Sequence, residues 1–238
     1  MRRRNKLIVV TGGNGRFGKI LKKQNYKNFI FPSKYKLNIL NINSIEKYLK
    51  KNKVKTVIHL AGLSRPMLIH EEKIDKSIML NIIGTCNLVI VCKKLNIKII
   101  YFSTSYVYPG VKGNYREQDS VFPINNYAWS KLGGECAVQM YKNSLILRVC
   151  MTEKPFIHQK AFSDVKLNFI FHDEVALILK KVMNKKGILN IGGPTKTVYQ
   201  FAKKYNPKVE KISIKKLKNL KFPLNASMNI AKLKKIIN

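Results

Sequence analysis

The chain has 238 residues, 45% of them hydrophobic, which suits one large domain with a real core or a domain with a small appendage. Its formal charge of +34 is carried by 39 lysines and only seven arginines. With so few guanidinium groups for bidentate contacts, the composition argues against specific nucleic-acid recognition and for solvated lysine faces that attract polyanions loosely and favour a phosphorylated substrate.

In chain order, "KLIVV" (6–10) is a short β-branched run of the kind that forms a buried parallel strand. "TGGNGRFG" follows, and "KILKKQ" opens a helix. "NFIF" (28–31) predicts a second strand and "SIEKYLKKN" (44–52) a helix with Ser44 as its N-cap. "VKTVIHLAG" (54–62) is a strand ending in small residues. A long helix is expected over 74–95, a strand at "IKIIYFST" (97–104), a helix around Tyr127 and a strand at "SLILRV" (144–149). Strands alternating with helices predict an α/β fold, a Rossmann-type doubly wound parallel sheet over residues 1–150. Beyond that, "FIFHDEVALILKKVMNKKG" (169–187) predicts a strand end and a helix closed by Gly187, with His172 structural. "ILNIGGPTKTVYQFAKKY" adds a strand, a turn and a helix, and the tail ends in a helix from near Asn229. Residues 151–238 therefore read as a small C-terminal substrate-side lobe that does not fold alone.

No apolar run is expected to span a membrane, which takes about 18 residues. "MRRRNK" leads into a glycine loop instead of a signal-peptide core, so a cytoplasmic protein is expected. The four cysteines (Cys86, Cys92, Cys136, Cys150) form no Cys-x-x-Cys or Cys/His cluster, which predicts reduced thiols and no metal.

Gly12, Gly15 and Gly18 form G-x-x-G-x-x-G between a predicted strand and a predicted helix, the context in which glycines let the backbone approach a pyrophosphate. Sites that select NAD place an acid at the end of the second strand for the ribose 2′-hydroxyl. Here Pro32, Ser33 and Lys34 stand there, and the first acid in the chain is Glu46. With Arg16 in the loop and Lys34 beyond the strand, NADP(H) is favoured and NAD(H) stays open. Tyr127 and Lys131 in "NNYAWSKLGGE" share one helix face, a spacing that a catalytic pair and a surface pair both satisfy.

The glycine loop, "HLAG", "NIIGTCNL" (81–88), "FSTSYVYPG" (102–110) and Y-x-x-x-K, in this order, resemble the extended short-chain dehydrogenase/reductases, and among them the dTDP-4-dehydrorhamnose reductases. The likeness is strongest over 100–136, and "FPLNASMNIAKLKKI" resembles the family's C-terminal segment. The resemblance implies NADPH-dependent reduction of the C4 keto group of a nucleotide-activated 4-keto-6-deoxy sugar, in deoxysugar and polysaccharide biosynthesis. It implies Tyr127 as general acid, with Lys131 lowering its pKa and binding the nicotinamide ribose, and Thr104 as donor to the substrate carbonyl. Cofactor contacts are expected from Gly12, Gly15, Arg16, Phe17, Gly18, Lys34, Asn38, Leu60, Ala61, Gly62, Asn81, Tyr127 and Lys131. Substrate contacts are expected from Thr104, Ser105, Tyr127 and Arg148. Asn81 matches a position that supports the lysine through water in this superfamily, with a helix-interior role as the alternative.

The chain departs from the family pattern in three places. Asn38 and Asn41 replace acids of an "L-D-I-T-D" stretch, Ser105 replaces an aspartate after the threonine, and the segment between Arg148 and His172 is short. Ser105–Tyr106 in place of an Asp–Glu pair argues against a 4,6-dehydratase. A 4-epimerase and a non-catalytic NADP-binding regulatory subunit remain alternatives, and a homodimer is left open.

Overall fold

Six apolar segments pair into one parallel sheet in the computed structural model, which describes residues 7–217 and 221–237. "MRRRNK", including the first residue of the first expected strand, lies outside the described residues. The first half runs β1 (Ile8–Thr11), α1 (Arg16–Lys23), β2 (Phe29–Ile30), α2 (Ile42–Lys51), β3 (Thr56–His59), α3 (Ile69–Glu72), α4 (Ile74–Ser77), a π-helical turn (Ile78–Ile83), α5 (Gly84–Lys94), β4 (Lys98–Thr104), α6 (Asn126–Gln139) and β5 (Ser144–Val149). The second half runs β6 (Met151–Thr152), β7 (Lys160–Phe162), β8 (Lys166–Leu167), β9 (Ile170–Phe171), α7 (His172–Val182), β10 (Gly187–Ile191), β11 (Lys196–Thr197), α8 (Val198–Tyr205), β12 (Glu210–Ile212) and α9 (Ala231–Ile237).

The sheet order is β10-β5-β4-β3-β1-β2, with every neighbour parallel. The chain leaves β1 towards β2 on one side and continues to β3 on the other, so the topological switch point lies between β1 and β3. Open sheets of this kind bind ligands in the crevice at that point. One face packs Phe17, Leu21, Val175 and Leu179 on the sheet, and the other packs Ile45, Leu49, Leu88 and Val91. Burial on both faces explains why the strands read as continuous apolar runs.

The boundary expected at residue 150 is crossed, because β10 is the sheet's sixth strand and α7 and α9 cover it. The remaining segments form a lobe around Phe156, Phe171, Phe201 and Val209. Four local expectations are corrected. The cap of α2 is Asn41, whose Oδ1 accepts from Ser44 N at 2.9 Å, so the helix starts earlier than Ser44. The helix over 74–95 contains the π turn around Asn81. Ile74–Lys94 is also long and apolar enough to match a membrane span by composition, although its Leu88, Val91 and Cys92 face is buried against the sheet. Finally, α7 ends at Val182, and Gly187 (φ +81) opens β10 instead of closing that helix.

Candidate active site

The switch point is built by two loops in backbone contact. Gly12 has φ +69, and a Cβ there would lie 2.6 Å from Ala61 N. At Gly18 a Cβ would lie 2.6 Å from Gly12 O, so α1 can sit on the loop only with glycine in that place. Helix α1 starts at Gly15 with no side-chain cap, whereas α2, α6 and α8 are capped by Asn41, Asn125 and Thr197. Its first amides are thus left for an anion, and a phosphate cradle fits these residues. The Phe17 side chain belongs to the core, 5.1 Å from the Phe102 ring, so only its backbone can face a ligand.

Beneath the loops runs a hydrogen-bond chain that sequence reasoning missed. Leu60 N and Ala61 N both donate to Thr11 Oγ1, which is 2.8 Å from His59 Nδ1; His59 Nε2 is 3.0 Å from Thr85 Oγ1, and Thr85 donates to Asn81 O. The donors are consistent only with a neutral imidazole protonated on Nε2, a tautomer inferred from the network. Burial and the Lys131 charge push His59 down to about 3. A histidine ending a buried strand, in "VIHLAG", was the available signal.

Asn81 fastens the loop after β3 to α6. Its Oδ1 accepts from Leu63 N at 2.7 Å, and its Nδ2 donates to Leu63 O and to Ser130 Oγ. Ser130 in turn donates to Tyr127 O. The carboxamide thus positions the helix that carries Tyr127 and Lys131.

Tyr127 lies in the first turn of α6, its ring 5.1 Å from His70, which is fully buried and bonded through Nδ1 to Ser77 Oγ. Burial raises the Tyr127 pKa, while a hydrogen bond with Thr104 and the charges of Arg65 and Arg16 draw it back. The same burial brings Lys131, the residue expected to supply this pull, down to about 7, against an opposing push from Glu135. An ammonium near its own titration point is a weaker source of charge than a guanidinium. Lys131 Nζ lies 4.1 Å from the centre of the Tyr101 ring.

The remaining expected residues divide. Thr104 sits at the end of β4 and accepts from Tyr106 N at 3.3 Å. Ser105 is 1% exposed and packs beside the Cys150 thiol, so it is closed off from a substrate. Arg148 does not face a substrate either, because its guanidinium is tied to the buried Glu135 carboxylate (2.5 Å) and to Tyr108 Oη (2.9 Å). Arg16, expected near the 2′-phosphate with Lys34, reaches instead to Ser64 and Glu153. Lys34 is exposed, its ammonium over the Tyr35 ring. Asn38 forms an exposed turn, with Oδ1 accepting from Leu40 N.

The doubly wound sheet, the uncapped glycine loop and the Tyr127–Lys131 helix beside Thr104 together define a Rossmann protein of the extended short-chain dehydrogenase/reductase kind. The family described as "RmlD substrate binding domain" matches residues 5–154, and the chain belongs to it. Among solved structures it is similar to a dTDP-4-dehydrorhamnose reductase from Bacillus anthracis in complex with NADP, with a TM-score of 0.86, 20% identity, and 97% of this chain and 92% of that chain covered. A hypothetical dTDP-4-dehydrorhamnose reductase from Sulfolobus tokodaii gives 0.84, 23% identity, and 98% and 95% coverage. At these identities the likenesses establish the fold. Among curated proteins, methionine adenosyltransferase 2 subunit beta of Pongo abelii is 28% identical over 144 residues, 56% of this chain and 43% of that protein. The dTDP-4-dehydrorhamnose reductase of Aggregatibacter actinomycetemcomitans is 26% identical over 196 residues, 79% of this chain and 62% of that protein. The chain thus spans less than two thirds of either curated relative.

Proposed function

We propose that the chain reduces the C4 keto group of a nucleotide-activated 4-keto-6-deoxy sugar with NADPH, in deoxysugar biosynthesis in the cytoplasm. The observation that carries this reading is the placement of Thr104 at the carboxyl end of β4, against the helix that carries Tyr127 and, one turn on, Lys131. A bound nicotinamide dinucleotide supplies the hydride. Gly12, Gly15 and Gly18 would let the loop and the uncapped first amides of α1 approach its diphosphate, with Gly15 N itself bonded to Gly12 O at 2.9 Å; Leu60, Ala61 and Gly62 would line the crevice, and Lys131 would hold the ribose. Lys34 and Asn38 stand on the adenosine side, where the lack of an acid after β2 supports NADPH over NADH.

A raised phenol pKa keeps Tyr127 protonated at neutral pH, the state a general acid requires. Reduction at C4 would place growing negative charge on the carbonyl oxygen. Tyr127 gives that oxygen its proton and Thr104 donates a hydrogen bond to it, so both act where the transition state differs from the ground state. The likeness to reductases, one of them in complex with NADP, supports this reading.

A second reading, a non-catalytic NADP-binding regulatory subunit, is favoured by the likeness to methionine adenosyltransferase 2 subunit beta and by the closure of Ser105 and Arg148 to a substrate. NADPH oxidation followed by absorbance against a panel of nucleotide 4-keto-6-deoxy sugars separates the two. Turnover with one of them is expected; tight NADPH binding without turnover on any would favour the regulatory subunit.

A further inference from the structure

The glycine loop, the loop after β3 and the segment after β6 meet at one carboxylate. Arg65 Nη1 donates to Glu153 Oε2 at 2.9 Å, and Arg16 Nε lies 3.5 Å from Glu153 Oε1. Arg16 also donates to Ser64 Oγ at 3.2 Å, which ties the two arginine-bearing loops together. Arg16 opens α1, Arg65 follows β3 and Glu153 directly follows β6, so the bridge crosses the carboxyl edge of the sheet beside the switch point. Both guanidinium charges act on the Tyr127 phenol, so the bridge stands within electrostatic reach of the proposed chemistry. The three side chains are 42%, 38% and 24% exposed, within reach of a ligand from solvent.

Each guanidinium meets one oxygen of the same carboxylate, so two planar, multi-donor cations stand side by side, and such cations suit the several oxygens of a diphosphate better than a lysine point charge does. In a chain of 39 lysines and seven arginines, two of the four arginines among the described residues meet here. We infer that Arg16 and Arg65 form a diphosphate subsite at the mouth of the crevice, and that Glu153 is its internal competitor, displaced when a nucleotide diphosphate binds. Partly exposed ion pairs are individually weak, so the carboxylate is readily exchanged for a ligand with more charge and more acceptor oxygens. The inference rests on the reading that the crevice takes nucleotides, and the diphosphate can come from the dinucleotide or from the nucleotide sugar.

The test is titration calorimetry at fixed ionic strength with inorganic pyrophosphate, NADPH, NADH and dTDP, on the parent chain, Glu153→Gln, Arg65→Gln and Glu210→Gln. Glu210 pairs with Lys160 at the surface and serves as the control for net charge. Glu153→Gln is expected to bind pyrophosphate roughly two- to thirtyfold more tightly, the span that two such ion pairs allow. Arg65→Gln should bind it more weakly, and Glu210→Gln should match the parent. A gain shared by NADPH and NADH assigns the subsite to the dinucleotide, and a gain confined to dTDP assigns it to the nucleotide sugar. Parental affinity of Glu153→Gln for every ligand, or an equal gain in Glu210→Gln, overturns the subsite. Failure of the parent to bind either dinucleotide would instead overturn the functional reading, and the pyrophosphate arm would still decide the subsite.

Discussion

Replacing Arg148 by leucine asks whether this guanidinium is a structural ion or a substrate contact. The arginine side chain is 4% exposed and that of Glu135 1%. Arg148 donates to Glu135 from Nε at 3.1 Å and from Nη2 at 2.5 Å, to Tyr108 Oη at 2.9 Å and to Glu117 O at 3.1 Å. Arg148→Leu leaves the Glu135 carboxylate buried, with Ser103 Oγ at 2.6 Å as its partner. Removing one member of a buried pair costs about 3–5 kcal/mol, because the other charge stays desolvated without compensation. Against a total stability of about 5–15 kcal/mol, that is a large fraction. Urea unfolding of Arg148→Leu should therefore show a midpoint well below the parent's. The double variant Glu135→Leu/Arg148→Leu should recover part of the loss, because it leaves no unpaired charge, and the cycle measures the coupling directly. The reasoning fails if Arg148→Leu stays within about 1 kcal/mol of the parent, below the cost of an unpaired buried charge. A rise in KM for the nucleotide sugar in that stable variant would return Arg148 to the substrate.

Tyr127→Phe keeps the ring and removes the proton, so turnover should fall by a factor on the order of 10²–10⁴ with NADPH affinity nearly unchanged; a folded variant that turns over at the parental rate rules the general acid out. Gly187→Ala and Gly12→Ala both force alanine to positive φ, at about 1–2 kcal/mol, but a Cβ at Gly187 meets open space while one at Gly12 collides with the backbone of Ala61. Only Gly12→Ala should also lose dinucleotide binding in calorimetry, and equal binding by the two variants would refute the close approach. His59 titrates near 6.5 unfolded and near 3 folded. Its folded pKa is depressed, so its contribution is present above pH 6.5 and is lost as pH falls towards 3. The ceiling is about 5 kcal/mol at 1.36 kcal/mol per unit. The stability difference between the parent and His59→Gln, from denaturant titrations, should shrink across that window; a constant difference would show that the imidazole is not held neutral.

What was legible in the sequence follows from the range of each interaction. Strands of a parallel sheet are buried on both faces, so "KLIVV" and "IKIIYFST" announce themselves as unbroken apolar runs. Gly12 and Gly18 were legible because the requirement for glycine is local to the turn. Asn41 and Ser44 are both good cap residues three positions apart, and sequence alone could not tell which opens α2. The π turn had no local signal, and the partners of Asn81 within it are distant: Leu63 and Ser130, 18 and 49 positions away. Arg148 was misread for the same reason. A basic residue in "SLILRV" looks like a strand end facing a ligand, but all six residues of β5 are buried and the partner carboxylate arrives from α6.

That distant carboxylate also bears on the pair proposed to act from α6. Glu135 stands one turn beyond Lys131, as Lys131 stands one turn beyond Tyr127, so phenol, ammonium and carboxylate line one helix face. Arg148 already balances Glu135, which limits how far that carboxylate can hold Lys131 up, and burial brings the lysine to about 7. A lysine at that point exchanges its proton readily at neutral pH. The steadier positive field on Tyr127 then comes from Arg16 and Arg65 across the crevice, and that field depends on what their guanidinium groups are holding. A diphosphate in place of Glu153 between them would change that field. On the proposed subsite, the acidity of Tyr127 would therefore be coupled, through two arginines on separate loops, to whether a diphosphate is bound.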